Sequence, residues 1–160
     1  MPPQESGARG AVAFTDPEEL LLRRVAKSHI EDGEVSLLAI SRETSFHVDP
    51  QRCSSVLRSA FLESRFDAVH PNCAGGVDLA GSHTVMHVRV GSLPRGLQIR
   101  PLPPDSHERW DIYPHHDPQP LCYAHSTLCC SRQEHPNIAV VPPKSVRDQF
   151  REWLTEELTA

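Results

Sequence analysis

The segment from His107 to His135 constrains the fold most, because the prolines within it and just before it limit the regular secondary structure that it can form. Six prolines break regular secondary structure across this part of the chain: Pro101, Pro103, Pro104, Pro114, Pro118 and Pro120. Proline fixes φ and lacks a backbone N–H, so helix interiors and central strands tolerate it poorly. The sequence therefore predicts a Pro/His/Cys-rich loop over residues 101–138, at the rim of a small domain.

The same segment contains five of the ten histidines and three of the five cysteines. Thiolate and imidazole are the ligands that tetrahedral zinc prefers. The spacing C-x2-H-x3-C-C-x4-H predicts a zinc site formed by Cys122, His125, Cys129 or the adjacent Cys130, and His135. Structural zinc sites usually separate their two ligand pairs by a longer stretch, so unligated surface thiols and imidazoles are the alternative interpretation.

A non-haem iron site is a second hypothesis for this segment. His115 and Asp117 would supply two ligands of a facial triad, and His125 or His135 the third. Against it, only 25 residues follow His135, too few for the strands that usually carry a distant ligand.

Nucleophilic catalysis is a third hypothesis. Cys122, Cys129 or Cys130 would form a thiolate pair with His125, and Asp117 would orient the imidazole. Such groups are assembled in space, so their proximity in sequence neither proves nor excludes the arrangement.

Helix signals occur in three places. Thr15-Asp16-Pro17 predicts a helix that ends at Asp32-Gly33, and Asp49-Pro50 predicts a second one through about Phe66. After Ser145 an apolar stripe predicts an amphipathic C-terminal helix that packs on a sheet, with Val146, Phe150, Trp153, Leu154 and Leu158 on its inner face.

Strand signals lie between these helices, at residues 35–41, 44–48, 83–90 and 97–102. The predicted fold class is α+β, with a mainly antiparallel sheet, two helices in the N-terminal half and one at the C-terminus. A chain of 160 residues suits one domain, so residues 14–160 are predicted to form it, after a disordered tail at 1–13.

Charge and cysteine content limit the classes of partner. The net charge of −5 argues against nucleic acid, and no apolar run is long enough to span a membrane. Five cysteines without a secretory signal indicate a reducing, intracellular location, cytoplasmic or nuclear.

No catalytic motif in the sequence specifies a reaction. We therefore expect a small intracellular binding or regulatory protein that contacts another protein, with zinc stabilising its loop. The alternative is a small metal-dependent or Cys/His enzyme with its site at residues 107–135. The oligomeric state stays open.

Overall fold

The computed structural model describes residues 14–36, 54–74, 76–100, 104–105, 107–136 and 138–160. Within them, six strands form one antiparallel sheet: β1 Leu20–Ala26, β4 Ser54–Arg58, β5 His83–Arg89, β6 Leu97–Gln98, β7 Arg109–His116 and β8 His125–Arg132. Their order across the sheet is β5-β1-β4-β8-β7-β6. The chain is thus α+β and mostly sheet, and the single domain over 14–160 stays a prediction.

A separate small hairpin joins β2 Ile30–Glu31 to β3 Glu34–Val35. Asp32 and Gly33 link them with positive φ angles of 52° and 81°. These values match the two-residue turn that suits the twist of antiparallel strands. Asp32-Gly33 therefore forms a hairpin turn, and does not end a helix.

The one α-helix of the described residues is α1, Lys144–Glu157, which confirms the predicted C-terminal helix. Its buried side chains Val146, Phe150 and Leu154 pack into the main core cluster with sheet residues such as Leu21 and Ile112. This cluster covers one face of the sheet. A second cluster, around Leu22, Leu57, Val69 and Val85, covers part of the other face.

The two predicted helices of the N-terminal half are wrong where the structure describes them. The first is replaced by β1. In this strand the adjacent residues Leu21 and Leu22 are both buried, but in different core clusters. A central strand covered on both faces has an apolar run that resembles helical spacing. The segment forms a strand because it pairs with β4 on one side and with β5 on the other.

The second predicted helix begins outside the described residues, at Asp49-Pro50. Where the structure describes it, the chain forms β4 and two 3₁₀ turns, Ser59–Phe61 and Arg65–Val69. Of the predicted strands, 83–90 is confirmed as β5, whereas 97–102 shortens to β6. The predicted strand at 44–48, the predicted tail at 1–13 and most of the segment 35–41 lie outside the described residues.

The predicted loop over 101–138 is wrong in its central part, because β7 and β8 occupy it and pair along their length. Pro114 is tolerated for a geometric reason. The Ile112 N–H donates to the Pro94 carbonyl, away from β8, so the missing N–H of Pro114 also points away from β8. The short β6 pairs only with Arg109 and Trp110, and so does not reach Pro114.

The opposite margin of the sheet is β5. The His87 N–H donates to the Thr159 carbonyl, and the Thr159 N–H returns a bond to the His87 carbonyl. Arg65 donates to the Val85 carbonyl, and the His83 N–H donates to Leu79. Thr159, Arg65 and the Leu79 carbonyl therefore take up several of the outward backbone groups of this strand.

Candidate functional site

The turn between β7 and β8 brings Asp117 and His125 together. The Asp117 N–H donates to the His125 carbonyl at 3.0 Å, which extends the ladder by one step beyond His116. Gln119 and Cys122 exchange two backbone hydrogen bonds of 3.0 Å inside the turn. The side chains of Asp117 and His125, at the base of the turn, are both buried.

The protonation of the His125 ring follows from its contacts. Nδ1 lies 2.7 Å from the backbone oxygen of Asp117 and 3.5 Å from its carboxylate Oδ2. A carbonyl oxygen only accepts hydrogen bonds, so Nδ1 must carry the proton. In the neutral ring Nε2 then has a lone pair. This atom is the basic one.

Ser55 lies on the basic side of His125, with its Oγ 3.3 Å from Nε2. Strand pairing explains this contact. Ser55 is opposite Thr127 and Leu57 is opposite His125, so Ser55 and His125 project from the same face of neighbouring strands. Ser55 is exposed, whereas His125 is buried. An exposed hydroxyl therefore contacts a buried imidazole whose other nitrogen is held by the Asp117 backbone oxygen.

The backbone at Ser55 has a further polar contact. The Arg23 guanidinium donates to the Ser55 carbonyl at 3.1 Å. Burial, and secondarily the charge of Arg24, lowers the pKa of Arg23 to about 10. The group stays cationic at neutral pH and holds the β4 backbone at Ser55.

The residues predicted for zinc do not form a metal site. Cys122 forms a disulfide with Cys73, and His135 is exposed beyond the end of β8. Cys129 is buried under Ala139 on the sheet, beside Tyr113. No group of three or more His, Cys, Asp or Glu able to hold a metal occurs in the described part of the chain. The prediction of a zinc-binding protein is wrong there, and the same finding removes the iron site at His115 and Asp117.

Each cysteine that was considered as a nucleophile is also accounted for. The Cys122 sulfur is in the disulfide, and Cys129 is fully buried. Cys130 faces the main core cluster, where burial, and then the nearby Cys129 and Asp111, raises its pKa to about 12. A thiol with this pKa is not the reactive thiolate at neutral pH. His125 and Asp117 lie together as the sequence suggested, but the hydroxyl beside Nε2 of His125 is that of Ser55, and none of these three cysteine sulfurs is available as a reactive thiolate.

A cluster of aromatic rings around His116 adjoins this site. His116 packs edge-on against Tyr123 and is tilted against Phe61, with ring centroids 5.0 and 5.7 Å away. Neither of its ring nitrogens has a hydrogen-bond partner among the described residues. Burial, and then the charge of Arg58, lowers the pKa of His116 to about 4. The ring is therefore neutral at physiological pH and contributes mainly packing.

Sequence reasoning missed Ser55 because it lies 70 residues before His125, in a segment predicted to be helical. No local motif marks it. Only the strand order, which places β4 beside β8, brings the two residues together.

Comparisons with protein-family models, with curated proteins and with solved structures found no match to this chain. Within the described residues, no helix has the length and apolar character needed to cross a bilayer.

Proposed function

We propose that the chain hydrolyses small carboxylic esters, with Ser55 as nucleophile, His125 as general base and Asp117 as the orienting group. The observation that carries this proposal is the polarity of His125: its proton is held on Nδ1 by the Asp117 carbonyl, and its lone pair on Nε2 faces Ser55. Nucleophile, base and orienter in this order define acyl-transfer sites on unrelated folds.

The reaction would proceed in two halves. Ser55 Oγ attacks the ester carbonyl carbon while its proton passes to His125 Nε2. His125 returns that proton to the leaving oxygen, so an alcohol departs and the acyl group stays on Ser55. A water molecule, deprotonated by the same nitrogen, then attacks the acyl-serine and releases the carboxylic acid.

The carboxylate of Asp117 has a role in both halves. Its Oδ2, 3.5 Å from Nδ1, lies where it can stabilise the imidazolium that forms when Nε2 takes the proton. The 3.3 Å separation of Ser55 Oγ and Nε2 is long for such a bond. Catalytic hydrogen bonds in substrate-free proteins are often of this kind and tighten when substrate binds.

A serine-directed fluorophosphonate tests this proposal, with peptide mapping of the labelled residue and hydrolysis of 4-nitrophenyl acetate as a second readout. We expect label on Ser55, and loss of both signals in Ser55→Ala. Ser82→Ala is the matched control, because Ser82 is also exposed and its Oγ lies 2.8 Å from His83 Nδ1. Among the described residues no carboxylate forms an ion pair with the His83 ring.

The control decides between a built site and a chance contact. If Ser82 labels as fast as Ser55, or if Ser55 labels no faster in the folded than in the urea-unfolded protein, the proposal fails.

Contact with another protein is a second candidate function, favoured by two exposed apolar side chains. Phe66 and Leu121 are 71% and 65% exposed. They line two neighbouring clefts that share His70 as a wall. Exposed apolar residues gathered in this way are typical of protein-binding surfaces.

A comparison of variants tests this candidate. A partner captured by the wild-type protein should be lost in Phe66→Ser and Leu121→Ser. It should be retained in Ile138→Ser, which removes an apolar side chain that is 59% exposed elsewhere on the chain. Equal loss in all three variants would reject a specific surface.

The intracellular location remains a proposal that rests on the sequence alone. The Cys73–Cys122 disulfide weighs against a strongly reducing compartment, where such bonds rarely persist.

A further inference from the structure

We propose that the Cys73–Cys122 disulfide is a site of thiol exchange, attacked at Cys73 by a small-molecule thiol, and that its reduction switches off the ester site. The second half of this statement rests on the proposed function. The first half rests only on the disulfide and on the cavity beside it.

A cavity of about 230 Å³ adjoins one cysteine of the pair. Cys73 lines it, together with Leu62, Glu63, Asp67, His70, Asn72 and Leu121. At about 30 Å³ per water molecule in the liquid, this volume corresponds to roughly seven waters, which leaves room for a small thiol such as 2-mercaptoethanol. A small thiol can therefore enter and reach the Cys73 side of the bond.

The two sulfurs differ in exposure, and this difference sets the direction of attack. Cys73 is partly exposed, whereas Cys122 is fully buried in the cluster with Leu57 and Val69. Exchange requires direct contact of the attacking thiolate with one sulfur, so access selects Cys73. Cys122 is then the leaving group.

The exchange uses two equivalents of thiol. In the first step the thiolate forms a mixed disulfide with Cys73, the Cys73–Cys122 bond breaks, and the Cys122 thiolate takes a proton. A second thiolate attacks the external sulfur of the mixed disulfide and releases the Cys73 thiolate, which is protonated in turn. The protein disulfide is reduced to two thiols while two small thiols are oxidised to one disulfide.

The disulfide is placed to affect His125. Cys122 is in the seven-residue link 118–124 between Asp117 and His125, and its carbonyl accepts the His125 N–H at 3.2 Å. Its partner Cys73 lies in a turn that Arg24 holds through the Ala68 and Cys73 carbonyls. Reduction would remove the covalent tie between this turn and the link that sets the His125 position.

The test of the exchange site is a chemical map. The full-length protein would be treated with limiting 2-mercaptoethanol, quenched in acid and digested. We expect the adduct on Cys73 and a thiol on Cys122. A brief pulse of N-ethylmaleimide before the quench should leave the buried Cys129 and Cys130 unalkylated, which reports that the fold is intact. An adduct on Cys122, or reduction only together with exposure of Cys129 and Cys130, would overturn the proposal.

A pair of variants tests whether the cavity is the route. Asn72→Trp places a bulky side chain at the cavity wall and should slow the first exchange step by about tenfold or more, since exchange rates depend on access. Asn72→Ala removes the same side chain without filling the cavity and should not slow it. Equal rates in both variants would reject this route.

The coupling to the ester site has its own readout. The rate of Ser55 labelling by fluorophosphonate should fall when the disulfide is reduced, and recover on reoxidation. An adduct on Cys73 with an unchanged labelling rate would overturn the switch. Absence of Ser55 labelling in the oxidised protein would instead reject the ester hydrolase, and the chemical map would still decide the exchange site.

Discussion

Arg58 and Glu19 form a bidentate, buried salt bridge, with Nε and Nη2 each 2.9 Å from a carboxylate oxygen. The guanidinium also lies over the Phe14 ring at 3.7 Å and the Phe61 ring at 4.7 Å. The side chains of Arg58 and Glu19 are only 4% and 6% exposed. Both charges are therefore desolvated, and each compensates the other.

Removing one partner of this pair should destabilise the fold strongly. Glu19→Gln leaves the Arg58 charge buried, which typically costs about 3–5 kcal/mol of unfolding free energy. Glu18→Gln is the control, because the Glu18–Arg89 pair is 3.2 Å long and largely exposed. Exposed pairs contribute about 0–1 kcal/mol. Urea unfolding of the two variants measures the difference, and equal losses would contradict the burial argument.

Stability should fall in mild acid because of His116. Burial lowers its pKa to about 4 in the folded protein, from the ordinary value of 6.5. Between these values the unfolded chain binds a proton that the folded chain does not. The stability is therefore fully present above pH 6.5 and is lost as the pH falls towards 4.

The source of this acid sensitivity can be tested by substitution. His116→Phe keeps a ring among Tyr123 and Phe61 and removes the titrating group, so the urea midpoint should vary less between pH 7 and pH 4.5. His135→Asn, at an exposed position, should leave the pH dependence as in the wild type. An unchanged slope in His116→Phe would assign the acid sensitivity to other groups.

Asp117→Asn should reduce Ser55 labelling only modestly. In hydrolases where the carboxylate itself sets the histidine tautomer, the corresponding change costs roughly 10⁴-fold in rate. Here the Asp117 backbone oxygen, which the substitution does not alter, already holds the Nδ1 proton at 2.7 Å. Loss of the nearby charge alone should cost about tenfold to a hundredfold, at about 1.4 kcal/mol per factor of ten. The rate of fluorophosphonate labelling in Asp117→Asn, compared with the rates in the wild type and in Ser55→Ala, measures this loss. A loss as complete as in Ser55→Ala would show that the carboxylate sets the tautomer.

The C-terminal helix should be essential to the sheet it covers. Phe150 is fully buried in the main core, and its replacement by alanine should cost about 3–5 kcal/mol of unfolding free energy. Glu152→Ala, at an exposed position two residues on, should change stability by less than about 0.5 kcal/mol. Thermal or urea unfolding would show whether these two outcomes differ.

The C-terminal helix was predictable from sequence because one periodic stripe, from Val146 to Leu158, faces a single core. The segment β1 was not, because Leu21 and Leu22 face opposite layers and so lose the alternation that marks a half-buried strand. The prolines of the segment 101–138 led to the wrong prediction of a loop where β7 forms, and Pro114 in β7 shows why. A proline whose missing N–H points away from the neighbouring strand does not interrupt pairing, and the direction of that N–H depends on register.

The candidate site was predictable only in part. His125 and Asp117 are eight residues apart, so sequence could suggest the pair as base and orienter. Ser55 and the pairing of Cys73 with Cys122 depend on contacts across 70 and 49 residues. Such contacts follow from the order of strands in the sheet. Neither the secondary-structure propensity of a segment nor the spacing of residues along the sequence predicts that order.

The two outer strands have a consequence for how copies of this chain behave in a crowded solution. An open strand offers unpaired N–H and C=O groups that can template another chain and lead to fibrils. At β5 several of these groups are taken by Thr159, Arg65 and Leu79. At the other margin the outer strand β6 is only two residues long, and the row of donors that β7 presents beyond it is interrupted at Pro114. Both margins are thereby poor templates, so a mostly sheet protein of this kind can remain dispersed without a helix shielding each edge.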